Sequence, residues 1–334
     1  MEYTTLGDTG LEVSRICLGC MSFGSTEWND WVLEDEGSRE IIEHAIDAGI
    51  NFFDTANVYS NGESERILGD VLDDYDRDRM VVATKTHPQR SPGPYPPEDG
   101  GGGLSRKAIE QDLEGSLERL GMETIDLYQT HRWDYDTPIE ETLRALDDAV
   151  RQGSVRYVGT SSMWTHQFAN ALHASERLGL ERFVSMQNHY NLVYREEERE
   201  MLPLCADGGV GVIPWSPLAG GYLTRPHEEL TATARGESMT ESEMLSEFVT
   251  TYRANGGERI NERVEELASE RGVTMAQIAL AWLLHQDHVD APIVGTTSVD
   301  HLEDAIEALE IDLSDSDLAY LEEPYEPVEI RGHV

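Results

Sequence analysis

Short apolar runs alternate with amphipathic segments from about residue 15 to residue 309 of the chain. The runs have the length of buried strands, whereas the longer segments repeat their apolar residues at helical spacing. Eight strands are predicted, at Ile16–Leu18, Asn51–Asp54, Met80–Thr84, Ile125–Thr130, Val155–Gly159, Phe183–Gln187, Val210–Trp215 and Pro292–Val294. Eight strand–helix units favour an α/β fold of the (β/α)8, or TIM barrel, type over a doubly wound sheet. No G-x-G-x-x-G sequence follows an early strand, which weighs against a Rossmann domain.

The segment after the fourth strand shows its helical start most clearly. Leu143 and Leu146 lie on one apolar face of the expected helix. Thr137 is the candidate N-cap, Pro138 occupies the first helical position, and Glu140 completes a capping box. We therefore expect this helix to begin at residue 138.

The regular rhythm indicates a single domain over residues 1–334, because no shift in composition marks a boundary. Residues 3–13 are expected to form a hairpin that caps one end of the barrel. The barrel itself should occupy residues 15–309, approximately, followed by a tail at 310–334 with extra C-terminal helices.

Two stretches interrupt this rhythm. Residues 87–104 are rich in proline and glycine, and residues 219–257 are long and polar. Loops of this length in a compact barrel usually belong to an active site or are disordered. Both alternatives stay open for these two stretches.

The charge of the chain is far from balanced. There are 65 Asp plus Glu against 25 Lys plus Arg, a formal net charge of -40, and the only lysines are Lys85 and Lys107. Such a surface lacks the clustered cations that contact nucleic acids or anionic membranes. Because about 1 M salt screens self-repulsion of this kind, the composition predicts the acidic surface of a halophilic cytoplasmic protein.

Cysteine usage and the length of the apolar runs agree with the cytoplasm. Cys17, Cys20 and Cys205 are odd in number and lack the second pair of a zinc site, so we interpret them as buried thiols and expect no metal. The N-terminus lacks the basic and apolar regions of a signal peptide. No apolar stretch approaches the ~20 residues of a membrane span, so no membrane insertion is expected.

Ionisable residues mark the ends of the second, third and fourth strands. Asp54 ends the second strand, Lys85 ends the third, and His131 follows the fourth. Tyr59 lies on the loop after Asp54. Taken singly, the aspartate is more often a helix cap, the tyrosine a packing residue and the histidine a structural group. Catalytic groups of TIM barrels come from these strand ends, and four of them at one barrel mouth indicate an active site.

These four groups suit proton transfer. A phenol has an ordinary pKa of about 10, and a nearby ammonium lowers it while a carboxylate keeps the ammonium charged. Tyr59, Lys85 and Asp54 thus form an acid–base group, with His131 placed to hydrogen-bond a substrate oxygen. Reduction of a carbonyl also needs a hydride, which side chains do not supply, so a nicotinamide cofactor is implied.

Five motifs occur in order, at Gly49–Ala56, Ala83–Lys85, Asp126–His131, Gly159–Ser162 and Pro214–Leu218. Together they resemble the signature of the aldo-keto reductase superfamily, over a span from about Tyr3 to Leu309. The chain is most similar to the branch that includes the voltage-gated potassium channel β subunits and related microbial reductases. The resemblance implies reduction of aldehydes or ketones to alcohols by a catalytic tetrad of Asp54, Tyr59, Lys85 and His131, with Tyr59 as general acid.

The resemblance also implies a nicotinamide site at the ends of later strands. Ser161 and Gln187 would hold the carboxamide, and Trp215 would stack on the nicotinamide ring. Ser162 stands where many relatives carry Asn.

The rest of the cofactor site is implied in the same way. The backbone around Leu218 and Gly220 would cradle the pyrophosphate, with Arg225 as a charge partner. The remaining expected cofactor contacts are Ser216, Gly295, Thr297, His301 and Asp304.

The adenosine end departs from the family pattern. Relatives often place a basic or amide residue there for the 2'-phosphate and a Glu/Asn pair for adenine. The corresponding positions hold His301, Asp304 and Ala305. Family habit favours NADP(H), and the missing strong cation leaves NAD(H) as an alternative.

Four aromatic residues on loops after the first and fourth strands are candidates for the substrate pocket. They are Trp28, Trp31, Trp133 and Tyr135. Packing against the rim of the barrel is an equally good interpretation of these side chains. The expected substrate is a small carbonyl compound.

Two other functions compete with the reductase. A Schiff-base lyase could also use a lysine at a barrel rim, here Lys85. A nicotinamide-binding regulatory subunit with little turnover is the other alternative, given the likeness to channel subunits. The physiological substrate, the direction of reaction and the oligomeric state are left open by the sequence.

Overall fold

The computed structural model describes residues 1–86, 103–232, 237–238 and 243–330. Its central element is an eight-stranded sheet in the order β10-β3-β4-β5-β6-β7-β8-β9, beside a two-stranded sheet of β1 and β2. The strands are β1 Tyr3–Thr5, β2 Glu12–Ser14, β3 Cys17–Gly19, β4 Phe52–Asp54, β5 Val81–Thr86, β6 Ile125–Thr130, β7 Val155–Ser161, β8 Ser185–Gln187, β9 Gly211–Val212 and β10 Ile293–Gly295.

The large sheet is parallel and closes on itself. Neighbouring strands pair in parallel, so that Lys85 lies opposite Gln129. The two edges of the sheet meet where the backbone N–H of Ile293 donates to the carbonyl oxygen of Pro214 at 2.9 Å. The predicted (β/α)8 barrel is confirmed.

The strand bounds differ from the predicted ones in an instructive way. β5 and β7 extend two residues further than predicted, to Thr86 and Ser161. Lys85 therefore lies within the ladder, because backbone pairing to Gln129 does not depend on side-chain polarity. Conversely, the predicted strand at 210–215 is reduced to Gly211–Val212, and Trp215 forms only an isolated bridge to His189.

Helices surround the barrel, and an extra helix follows it at the C-terminal end, as predicted. The helices of the described residues are Asp35–Asp47, Glu63–Leu72, Arg106–Leu120, Ile139–Gln152, Thr165–Leu178, Met201–Gly208, Glu243–Ala254, Gly257–Arg271, Met275–Leu284, Val299–Glu307 and Asp315–Glu322. Within the part of the chain that the structure describes, none of them is long and apolar enough to cross a membrane.

The predicted capping box after the fourth strand is wrong. Pro138 has an extended ψ of 131°, so it is the N-cap residue and the helix begins at Ile139. The hydroxyl of Thr137 instead donates to the carboxylate of Asp134. Glu140 pairs with Arg177.

The two long stretches have different outcomes. Residues 219–257 are not simply a loop, because they contain the helix Glu243–Ala254, in which Val249 and Tyr252 are buried in the core. Of the other stretch, residues 87–102 lie outside the described residues.

The N-terminal hairpin closes one end of the barrel, as predicted. Leu6 and Val13 are fully buried in a cluster with the inward residues Phe52 and Leu127. Gly7 makes the tight turn at a φ of 52°, and a Cβ there would lie 2.5 Å from the backbone nitrogen of Gly211. Only glycine fits this approach of hairpin to barrel.

Side chains alternate along each strand between the barrel interior and the surrounding helices. On β4, Phe52 packs with the hairpin cluster, and Phe53 belongs to the outer core beneath the helices. Asp54 is the next inward residue. The alternation thus places the side chain of Asp54 in the barrel interior, next to the hairpin cluster, which we call the apolar plug.

Candidate active site

A buried ion pair lies at the centre of the site. Lys85, on β5, is fully buried, and its Nζ donates to Oδ1 of Asp54 at 2.5 Å and to the carbonyl oxygen of Thr55 at 2.7 Å. The third contact of Nζ is the phenol oxygen of Tyr59, at 3.1 Å. Lysine, aspartate and tyrosine therefore form one continuous hydrogen-bonded group.

Two glutamines orient the carboxylate of Asp54. Nε2 of Gln129 and Nε2 of Gln187 each donate to its Oδ2 at 2.9 Å. Gln129 was missed by the sequence reasoning. Its signal is the alternation along β6, which turns Gln129 inward two residues after Leu127.

His131 completes the group of four. It follows β6, and its backbone N–H donates to the carbonyl oxygen of Thr86 at 2.9 Å. Its ring lies edge-on to the ring of Tyr59, with centroids 5.8 Å apart. The structure thus brings together all four residues that the sequence placed at the barrel mouth.

The electrostatics differ from the expectation for Tyr59. Burial raises the pKa of its phenol above the ordinary value, and Lys85 only partly offsets this. The predicted lowering is therefore wrong for this structure. Burial also works to lower the pKa of Lys85, but Asp54 and Tyr59 together raise it. At neutral pH the site holds an ammonium beside a phenol that keeps its proton.

Strained backbone is concentrated on the segments that follow strand ends. Among the residues that the structure describes, five non-glycine residues have positive φ angles, and they are Ser60, Asn61, Ser162, Ser216 and Ala219. The first two directly follow Tyr59. Residues in such conformations cluster at functional sites, where the surrounding structure imposes them.

Four of the predicted nicotinamide contacts lie together. Oγ of Ser161 donates to the backbone oxygen of Gln187 at 2.7 Å. Nε1 of Trp215 donates to Oγ of Ser162 at 2.9 Å. Their hydroxyl, amide and aromatic groups are the chemistry that a carboxamide on an aromatic ring requires.

His189 supports Trp215 and was not predicted to belong to the site. Its ring stacks between those of Tyr194 and Trp215, with both centroid distances 4.2 Å. Nε2 of His189 lies 2.8 Å from the hydroxyl of Tyr252, on the helix Glu243–Ala254. A stack of rings therefore fixes the plane of Trp215.

The turn after Trp215 contains the predicted pyrophosphate residues. Leu218 precedes a short 3-10 turn in which Gly220 has a φ of 65°. Nε and Nη2 of Arg225 lie 3.3 and 3.2 Å from Oγ1 of Thr224. Within the described ranges Arg225 has no carboxylate partner, so its charge is available to an anion.

The predicted adenosine residues follow β10. Gly295 ends the strand, and Thr297 and His301 are exposed. Asp304 lies one turn beyond His301 on the helix Val299–Glu307, and partial burial raises its pKa. The imidazole of His301 and the carboxylate of Asp304 therefore share one face of this helix.

The four aromatic candidates for the substrate pocket lie in three different surroundings. Trp28 and Trp31 contact each other edge-to-face, with centroids 6.1 Å apart. Trp133 packs against the outer core and lines a cavity of about 10 Å³. Tyr135 is 63% exposed.

Among the residues the structure describes, no group of three or more His, Cys, Asp or Glu side chains could hold a metal ion.

Comparison with known proteins agrees with this geometry. Residues 15–326 match the model of the aldo/keto reductase family. The chain belongs to the aldo-keto reductases. Its relatives include the versiconal hemiacetal acetate reductase of Aspergillus parasiticus, 42% identical over 99% of both chains. Aldo-keto reductase dtxS3 of Metarhizium robertsii is 44% identical over 100% of this chain and 93% of its own.

The family membership confirms the resemblance predicted from the motifs. This aldo-keto reductase is an oxidoreductase of a family that generally uses nicotinamide cofactors and small carbonyl substrates. A third relative, aldo-keto reductase AFTS1 of Alternaria alternata, is 42% identical over 99% of this chain and 93% of its own.

Proposed function

We propose that this aldo-keto reductase uses NADP(H) to reduce aldehydes or ketones to alcohols, with Tyr59 as the general acid. One observation carries the proposal. The phenol oxygen of Tyr59 lies 3.1 Å from Nζ of Lys85, which is itself fixed on the carboxylate of Asp54. A phenol so placed can lose a proton to substrate, because the resulting phenolate is stabilised by the adjacent ammonium.

Each residue of the tetrad then has a defined task. A bound nicotinamide coenzyme supplies the hydride ion that adds to the carbonyl carbon. Tyr59 hydrogen-bonds the carbonyl oxygen and transfers its phenol proton there as the C=O π electrons move onto oxygen. Lys85 stabilises the phenolate until solvent returns the proton, and Asp54 keeps Lys85 charged. His131, beside Tyr59, donates to the same substrate oxygen.

The donor set around Trp215 fits a nicotinamide coenzyme. Ser161, Ser162 and Gln187 offer hydroxyl and amide groups to the carboxamide, and Trp215 offers a flat ring held by His189. For the pyrophosphate, the backbone at Leu218 and Gly220 offers N–H groups, and the guanidinium of Arg225 offers positive charge. Ser216 is the strained residue that joins these two sets.

The adenosine end offers a single basic side chain to the 2'-phosphate of NADP(H). His301 is exposed on the helix after Gly295 and Thr297, with Asp304 one turn further on. NAD(H) is the alternative, because a histidine is a weak partner for a 2'-phosphate near neutral pH. Comparing kcat/KM for the two coenzymes tests this assignment, and a large advantage for NADH would reverse it.

The Schiff-base alternative is disfavoured by the state of Lys85. An amine attacks a carbonyl only when it is neutral. Burial alone works to lower the pKa of Lys85, but Asp54 and Tyr59 raise it above the ordinary value. The lysine is therefore suited to remain an ammonium.

Absorbance at 340 nm tests the proposed function directly. The purified protein, in molar KCl, is expected to oxidise NADPH in a 1:1 ratio with the alcohol formed from one or more of a panel of aldehydes and ketones. Tight NADPH binding without turnover would point to a regulatory subunit. Borohydride trapping of a substrate on Lys85 would point to a lyase.

We also infer that this enzyme works in the cytoplasm of a salt-rich cell. A net charge of -40 disfavours the compact state unless salt screens it. The three cysteines are free and buried, as expected where disulfides do not form. The melting temperature is expected to rise steeply between about 0.1 and about 2 M KCl. An equal melting temperature at both concentrations would exclude salt dependence.

A further inference from the structure

Arg132 occupies a position at the barrel mouth that the proposed function leaves unused. It directly follows His131, and its guanidinium carbon lies 5.9 Å from the ring centroid of Trp215. Its charge also works to lower the pKa of the Tyr59 phenol, so the guanidinium lies within electrostatic reach of the proposed acid. Arg132 therefore lies near the proposed nicotinamide platform and within electrostatic reach of the proposed proton donor.

The guanidinium of Arg132 has no carboxylate partner among the described residues. Nη1 donates to the carbonyl oxygen of the adjacent residue, His131, at 2.7 Å. By contrast, the partly buried Arg119 and Arg195 pair with Glu65 and Glu198. Arg182 is also without a carboxylate partner among the described residues, but it is exposed, whereas Arg132 is partly buried beside the proposed site.

The absence of a carboxylate partner among the described residues makes the partial burial of Arg132 unfavourable, and a bound anion would relieve this. A guanidinium that is partly withdrawn from water without a counter-ion is less favourable than a paired one, and partial burial lowers the pKa of Arg132 accordingly. The planar fork of arginine matches the two oxygens of a carboxylate. An incoming carboxylate would therefore meet a partly buried cation and would not have to displace a carboxylate side chain of the described residues.

We propose that Arg132 binds a carboxylate on the substrate, so that this enzyme prefers carbonyl compounds that carry an acid group. The inference rests on the proposed function, since it assigns the substrate class of the same site. With the carbonyl oxygen at Tyr59 and the carboxylate at Arg132, the carbonyl group is oriented at two points. Orientation of this kind raises kcat/KM for the acid relative to its neutral ester.

A matched pair of substrates tests this preference. The pair is 4-carboxybenzaldehyde and its neutral methyl ester, assayed with NADPH at one fixed KCl concentration. We expect the wild type to favour the acid in kcat/KM, and Arg132→Gln to reduce the acid-to-ester ratio by about tenfold to a hundredfold. Any effect of Arg132 on Tyr59 is common to both substrates and cancels in the ratio.

Three controls complete the design. Arg182→Gln removes an exposed arginine that donates only to a backbone oxygen, that of Gly208, and should leave the ratio unchanged. Arg132→Lys keeps the charge without the fork and should keep part of the preference. The inhibition constant of benzoate, a competitive inhibitor, should rise in Arg132→Gln by a similar factor. The inhibition constant of benzamide, which has no carboxylate, should not change.

The outcomes separate this inference from the proposed function. An acid-to-ester ratio that Arg132→Gln leaves unchanged overturns the inference. A rise in KM for NADPH, equal with both substrates and without a change in the ratio, also overturns it and assigns Arg132 to a cofactor phosphate. If no carbonyl compound is reduced but calorimetry shows Arg132-dependent benzoate binding, the proposed function fails while the carboxylate site stands.

Discussion

The two ends of the barrel are built from the same strands and differ completely in what they enclose. At the closed end, inward residues such as Phe52 and Val81 pack on Leu6 and Val13 of the hairpin. At the open end, two residues further along β4, Asp54 meets Lys85 in a buried ion pair. A step of about 7 Å along a strand therefore separates a dry apolar plug from a charged reaction site.

This difference shows that stability and chemistry are carried by separate layers. The closed end stabilises the fold by burying apolar surface, a contribution that depends on the area buried and has no required direction. The open end removes two charges from water, and such a pair is stable only while both members are present. Substitutions at the two ends should consequently separate loss of folding from loss of activity.

The largest effect is expected at the open end from Tyr59→Phe. Removal of the proposed general acid should lower kcat by roughly 10²- to 10⁴-fold, while the melting temperature and NADPH binding stay near wild type. Tyr320→Phe, which removes a hydroxyl from a 39% exposed side chain on the C-terminal helix Asp315–Glu322, is the matched control and should leave kcat unchanged. Steady-state kinetics at 340 nm measure both, and wild-type turnover in Tyr59→Phe would exclude Tyr59 as the acid.

Lys85→Met should break both properties of the open end at once. It leaves the carboxylate of Asp54 buried without its cation, so we expect a loss of about 3 to 5 kcal/mol in the free energy of unfolding, together with loss of turnover. Adding Asp54→Asn should restore most of the stability and none of the activity. Denaturant titrations of the single and double variants measure this, and equal stability of the two would contradict a charge-pair origin.

Leu6→Ala should break the closed end alone. Loss of a fully buried side chain from the plug should cost about 2 to 5 kcal/mol in the free energy of unfolding. Because Leu6 belongs to the apolar cluster rather than to the ion pair, kcat/KM of the folded fraction should not change. If the fully folded variant had a lower kcat/KM than the wild type, the closed and open ends of the barrel would be coupled.

The smallest effect is expected at a buried acid of the closed end. Burial raises the pKa of Asp290, whose carboxylate accepts from the N–H of Gly7, from 3.8 to about 6. The folded state thus holds its proton to a higher pH than the unfolded chain. Stability contributed by this residue therefore falls as pH rises from about 4 to about 6, and the loss persists above that window.

Asp290→Asn should remove this loss. Relative to wild type, the variant should gain no more than about 3 kcal/mol between pH 4 and pH 7, and activity should be unchanged. Asp287→Asn, at an exposed position nearby, is the control. Urea titrations at both pH values measure the difference, and a gain that is the same at pH 4 and pH 7 would contradict the assignment.

The sequence predicts the residues of the open end well because the barrel fold itself brings the strand ends together. Parallel strands of a barrel bring their C-terminal ends to one mouth whatever their register, so Asp54, Lys85 and His131 had to lie close together. The same argument cannot find Gln129. That residue lies within β6 rather than after its end, and only the inward direction of its side chain lets it hold Asp54.

Properties that depend on burial or on one torsion angle lie beyond the sequence pattern. The pKa of Tyr59 rises instead of falling because its desolvation outweighs the neighbouring ammonium, and the pattern contains no measure of desolvation. Likewise, the extended ψ of Pro138 moves the helix start by one residue and frees Thr137 for Asp134. Arg132 was passed over because charge partners are known only once the chain is folded.

Closure of the sheet through Ile293 and Pro214 sets a condition on biosynthesis. The first strand of the barrel, β3, remains without its partner β10 until residues 293–295 have been synthesised. At about 5 to 20 residues per second, the edge of β3 stays unpaired for roughly fifteen seconds to a minute. During that interval the unpaired edge of β3 could pair with another chain and aggregate. The dense negative charge on every copy opposes such association by mutual repulsion.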